Sequence, residues 1–151
     1  MSYAENTGVP VDRSIGEINR LIERYGAEQF MYATRKEAAM IAFVANGRQI
    51  RMLLPLPDKQ DPKFHTTPTG RSRKSTTASS QYEQEVRRRW RALALTIKAK
   101  LEAIETGIAT FQQEFLAYTV LPSGQTVGEW AIPQINAGNM PSELPLLVEL
   151  S

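Results

Sequence analysis

Apolar residues recur along this chain with two different periods, and the switches between them lay out its elements. From Ser14 the spacing is helical, with Ile15, Ile18, Leu21, Ile22 and Tyr25 on one face. Ser14 and Glu17 have the spacing of a capping box, and Gly26 stands where a helix would end. The period then drops to two. Phe30–Thr34 and Met40–Ala45 are predicted strands, with Arg35-Lys36-Glu37 as the polar exit of the first. Asn46-Gly47 follows, a strong hairpin signal because a type I′ turn needs positive φ at both central residues. The returning strand, Arg48–Leu54, places Ile50, Met52 and Leu54 on one face and Gln49 and Arg51 on the other, and Pro55 and Pro57 stop it.

Residues 58–79 have no period and are rich in Pro, Thr, Ser and basic side chains, which predicts a mobile loop that orders on a partner. A helical stripe then returns through Val86, Trp90, Leu93, Ile97, Leu101, Ile104 and Ile108. It predicts a long amphipathic helix over Ser80–Thr106, capped by Ser80 and Glu83 and ended by Gly107. A shorter helix is expected over Thr110–Tyr118. Leu121-Pro122-Ser123-Gly124 reads as a turn between Tyr118–Val120 and Thr126–Trp130, a small hairpin. Residues 1–13 read as a tail and 133–151 as an extended segment. The expectation is one α+β domain over all 151 residues: helix, three-stranded antiparallel meander, basic loop, long helix, then a C-terminal helix and hairpin.

Charge changes this picture more than composition does. Residues 59–100 hold eleven Lys and Arg against only Asp61, Glu83 and Glu85, whereas no Lys or Arg occurs from Leu101 onward. A net charge of +2 thus conceals one cationic zone, the footprint of a surface that meets a polyanion. The chain has no cysteine, which excludes disulfides and thiolate zinc sites. The polar stretch Met1–Pro10 does not read as a signal peptide, and no apolar run approaches the roughly 18 residues of a membrane span. A soluble cytoplasmic protein without cofactor is expected.

On the long helix, Arg87, Arg91 and Lys98 fall about a quarter-turn from the apolar stripe, with Arg88 further round. Either they form a solvated face, or they contact phosphate. Cations near a helix N-terminus oppose its dipole, and the neighbouring loop is cationic too, which favours an anionic partner. In that loop, Lys63, Arg71, Arg73 and Lys74 surround Phe64 and His65, a composition suited to backbone contact plus base stacking. Arg48 and Arg51 follow the hairpin turn, where they serve either edge protection or nucleic-acid contact. Enzyme parts are missing. His65 is the only histidine, Gly70–Ser75 lacks the glycine that a phosphate-binding loop requires before its lysine, and Asp58 is followed by no acidic-x-Lys strand of a nuclease. Trp90 and Trp130 read as packing residues. Homo-oligomerisation and nucleic acid, chiefly single-stranded DNA, are the expected partnerships. The alternative is a non-enzymatic regulatory protein whose basic segment docks on an acidic partner.

The order of elements over Ile15–Ile108 is similar to the core of the single-strand annealing recombinases, the superfamily of Erf, Red-beta and RecT. Gly47–Asp58 and Arg89-Trp90-Arg91-Ala92-Leu93 also resemble stretches of small proteins encoded by tailed phages and prophages. The first resemblance implies a sheet curled around the long helix, with single-stranded DNA in the groove between them. Arg48, Arg51, Arg87 and Arg91 would hold its phosphates. It further implies assembly into rings or filaments, with the acidic C-terminal third against a neighbour or a partner protein.

Overall fold

The computed structural model of the chain describes residues 7–138. Helix α1 (Val11–Tyr25) comes first. It begins four residues earlier than the Ser14–Glu17 pair suggests, because Pro10 supplies the extended N-cap and its carbonyl accepts from the amides of Arg13 and Ser14. Ser14 is therefore inside the helix, fully buried, and its hydroxyl has no partner among the described residues. Val11 extends the apolar stripe by one turn, so the predicted tail ends sooner than residue 13. Gly26 closes α1 at φ 112°, its amide bonded back to Ile22 and Glu23 and the next amide to Ile22, a left-handed cap that glycine adopts without steric cost.

The meander is β1 (Gln29–Arg35), β2 (Ala38–Ala45) and β3 (Arg48–Pro55), antiparallel in the order β1-β2-β3. Asn46 and Gly47 both have positive φ, 53° and 70°, as the turn requires. The register puts Phe30 beside Phe43 and Ile50, and Tyr32 beside Ile41 and Met52. Those residues form the face that meets the helices. Met31, Ala42 and Arg51 share the opposite face, as do Ala33, Met40 and Leu53.

Residues 58–79 carry regular structure rather than a loop throughout. Helix α2 (Pro62–His65) is capped by Asp61, and a bridge pairs Thr66 with Ser72. Helix α3 (Ser75–Glu105) starts five residues before Ser80. Its earlier turns are held by tertiary contact: Ala78 is buried, and Tyr82 meets the ring of Phe64 edge-on at 5.8 Å. The Ser80–Glu83 capping box is absent, since Ser80 lies well inside the helix.

Trp90, Ala94, Ile97 and Leu101 of α3 join Ile15, Ile18 and Ile22 of α1, and the inner face of the sheet, in one core. Ile108 does not; Gly107 ends the helix turn at φ 81° and leaves Ile108 82% exposed. Helix α4 (Phe111–Phe115) has a full capping box between Thr110 and Gln113, and a 3-10 turn (Leu116–Tyr118) follows it. Phe115 closes the core against Phe43, ring to ring at 5.6 Å.

The expected hairpin survives only as one bridge, Val120 to Thr126. Thr126–Trp130 is not a strand: Thr126 caps helix α5 (Val127–Ala137) by accepting from the Glu129 amide. Trp130 consequently lies on an outward helix surface, 53% exposed, and not in a core. The predicted extended segment from residue 133 begins inside α5, and its remainder, 139–151, lies outside the described residues. Among the described residues no helix is long and apolar enough to cross a membrane.

Candidate nucleic-acid interface

The cationic zone divides into a paired part and an open part. Glu85 of α3 is nearly buried and takes both Arg88 and Arg89, and Arg89 also donates to the Pro55 carbonyl at 2.8 Å. Arg91 pairs with Glu17 of α1. Lys100 pairs with Glu114 and sits over the rings of Phe115 and Tyr118. Arg87 donates to the side chain of Gln84 at 2.7 Å, whose amide nitrogen in turn donates to the Thr7 carbonyl. Because α3 starts at Ser75, the triplet Arg87-Arg88-Arg89 is three turns inside it, beyond the reach of the terminal dipole. The repulsion within the triplet is relieved by Glu85, so an external anion is not needed for that purpose.

The groove expected between sheet and helix is not assembled. Arg51 lies on the sheet face turned away from α3 and is tied to Glu129 at 3.3 Å and to the Gly124 carbonyl at 2.9 Å. Arg48 is on the other face of the same strand, half-buried beside the turn. Arg48, Arg51, Arg87 and Arg91 therefore do not converge on one path, and the space between sheet and α3 is filled by the core.

Other expected residues do converge. Lys63, Arg73 and Arg88 line one cleft of about 320 Å³ together with Gln81, Gln84 and Glu85 of α3, and with Phe64. Phe64 builds this cleft; it offers no platform for a base. It is 4% exposed, edge-on to Tyr82, with the Lys63 ammonium 5.1 Å from its ring centre. Arg73 is placed by backbone pairing of its amide to the His65 carbonyl at 2.7 Å, and its guanidinium reaches the Lys63 carbonyl at 3.4 Å. Among the described residues neither Lys63 nor Arg73 pairs with a carboxylate.

A second cleft of about 220 Å³ lies across the Phe64–Tyr82 contact, lined by Lys59, His65, Ser75, Ser79, Tyr82 and Glu83. The His65 Nε2 lies 2.9 Å from the Lys59 carbonyl oxygen. Arg71 and Lys74 project from the same segment, exposed, while Lys98 is exposed farther along α3. Among the described residues no three His, Asp or Glu side chains gather as a metal-ligand set.

Sequence reasoning counted Lys59 in the cationic zone and passed over Gln81 and Gln84. Their signal was present: positions 81, 84, 85 and 88 follow the i, i+3, i+4, i+7 rule and so share one helix face. A comparison with protein-family models, curated proteins and solved structures matches none of them.

Proposed function

We propose that this chain binds the phosphate backbone of nucleic acid, single-stranded DNA above all, through the cleft of Lys63, Arg73 and Arg88. The observation that carries the reading is the uneven charge of that cleft. Three cations stand against one carboxylate, and Glu85 is already shared between Arg88 and Arg89. Lys59, Arg71 and Lys74 extend the positive surface from the cleft along the α2 segment. A flexible strand can bring a phosphate into an opening of this size, whereas a rigid duplex holds its phosphates on a convex surface. Binding by the backbone also leaves the bases free. That suits an annealing role in phage recombination, in which a held strand must still pair with its complement.

Fluorescence anisotropy with labelled single- and double-stranded oligonucleotides, with and without magnesium, tests the proposal. Single strands should bind more tightly and stay intact with magnesium. The slope of log K against log salt should contain about −2 from three phosphate contacts at roughly −0.7 each. Replacing Lys63, Arg73 and Arg88 together with Gln should remove that share and weaken binding for every sequence alike. Replacing Arg51 with Gln should leave affinity and slope unchanged, because it lies on the sheet face turned away from α3 and does not line the cleft. A triple variant with wild-type affinity and slope would refute the site. A wild-type chain that ignores DNA but binds polyglutamate would favour an acidic protein partner instead.

A further inference from the structure

The two outer edges of the sheet are treated differently. Beyond β3, Thr119 bridges Ile50 and the Val120 amide bonds to the Gln49 carbonyl, so that edge is covered. Beyond β1, no backbone group among the described residues is paired. Strand β1 also lacks every usual safeguard of a bare edge: it has no proline, no bulge and no inward charge, with Arg35 only at its end. Its side chains are exposed on both faces, Met31 at 55% and Tyr32 at 50%.

We infer that β1 pairs with β1 of a second copy, antiparallel about a two-fold axis at Tyr32, to give one continuous six-stranded sheet. The register follows from charge and shape. With Tyr32 opposite Tyr32 of the second copy, Glu28 stands opposite Lys36, one residue beyond each end of the strand, and both are exposed. Moving the axis by one residue, to Met31 or Ala33, sets Glu28 against Thr34 or Ala38 and Lys36 against Gly26 or Phe30, and the ion pair is lost. In the central register Met31 of the second copy lies across from Ala33. It thereby meets an apolar hollow of about 260 Å³ that Ala33, Met40 and Leu53 help to line. On the other face the two Tyr32 rings extend the row Met52, Ile41, Tyr32 across the axis. An isologous contact of this kind closes on itself and yields a dimer.

Sedimentation equilibrium of the full chain should show a concentration-dependent dimer. Glu28→Lys, or Lys36→Glu, sets like charges opposite each other twice per dimer and should weaken association about tenfold. The double variant should restore it, which a folding defect would not. The chain has no cysteine, so Tyr32→Cys introduces a single thiol at the axis, where opposed positions lie within disulfide reach. Mild oxidation should link that variant into dimers, and Gln112→Cys should stay monomeric on a reducing-agent-free gel. A monomer at every concentration overturns the inference. So does a dimer that is indifferent to both charge reversals and unlinked through position 32, because its contact would then lie elsewhere, for instance on the exposed Trp130, Ile132 and Ile135 of α5.

Discussion

Replacing Phe64 with Ala separates two roles that the same side chain could play. As a stacking platform it would touch a base directly; as an anchor it only holds the cleft together. Its burial and its edge-on contact with Tyr82 argue for the anchor. Phe64 lies outside the main core cluster, so its loss should open the α2 segment locally and leave the rest folded. Burial of a phenylalanine is worth roughly 1.5–3 kcal/mol, and an aromatic pair adds about 0.5–1.5 kcal/mol. Losses of that size match the whole closing free energy expected of one short segment. The closed state would then hold about half of the population or less, and apparent affinity falls with the closed fraction, by about twofold or more.

Hydrogen exchange of residues 62–74, calorimetry and oligonucleotide anisotropy on one sample decide the matter. The anchor role predicts lost protection in 62–74, a nearly unchanged global transition and weaker binding. Phe64→Leu should recover most of both. Weaker binding with full protection in 62–74 would refute the anchor and reinstate stacking. Lost protection with unchanged affinity would show that the cleft is not where nucleic acid binds.

Three further substitutions probe the frame. Ile97→Ala, at a fully buried position of α3, should cost about 2–5 kcal/mol in urea unfolding, and a loss under half a kcal/mol would show the stripe is not packed. Ser14→Ala removes a buried hydroxyl without a partner and should leave stability unchanged or raise it by about 1 kcal/mol; a clear destabilisation would mean the hydroxyl is satisfied. Gly47→Ala meets no atom within 4 Å, so only its φ of 70° opposes it, and a cost of about 1–2 kcal/mol should lower Tm by a few degrees. An unshifted Tm would contradict the type I′ turn.

The sequence made the sheet and the helix stripes legible because both are set by local period and by one turn. Asn46-Gly47 fixed the β2–β3 register, and the run from Trp90 to Leu101 fixed which side of α3 is inside. Helix starts were misread where a capping pattern competed with context. Ser14–Glu17 and Ser80–Glu83 both have the right spacing, yet Pro10 and the docking of Phe64 on Tyr82 carry the helices further back. The reverse happened at the C-terminal side, where Thr126 and Glu129 stood at capping distance while an apparent turn argued for a hairpin. The charge partners were out of reach of any local rule. Glu17 lies 74 residues from Arg91, and Glu129 lies 78 from Arg51. Only the fold brings them together, and within the zone Glu17, Glu85 and Glu114 engage Arg88, Arg89, Arg91 and Lys100, four of its eleven cations, which withdraws part of that charge from a partner.

That withdrawal bears on what kind of recognition remains. Base-edge reading needs polar side chains with free donors and acceptors, preferably in bidentate pairs. Around the cleft, Gln84 is spent at both ends, its oxygen on Arg87 and its nitrogen on Thr7. Glu85 is spent on two arginines, and Phe64 has no open face. What is left is Gln81, together with cations that under the proposed function would contact phosphates and carry no base information. Such a surface would hold a strand by its backbone and be indifferent to its sequence. Affinity would then come from how many phosphates are reached at once, and one cleft per chain reaches few. Joining two copies through β1 puts two such clefts on one particle, where the second contact becomes intramolecular and avidity rises without any new side chain. On the two proposals together, the bare sheet edge would supply through pairing what one small cleft lacks in reach.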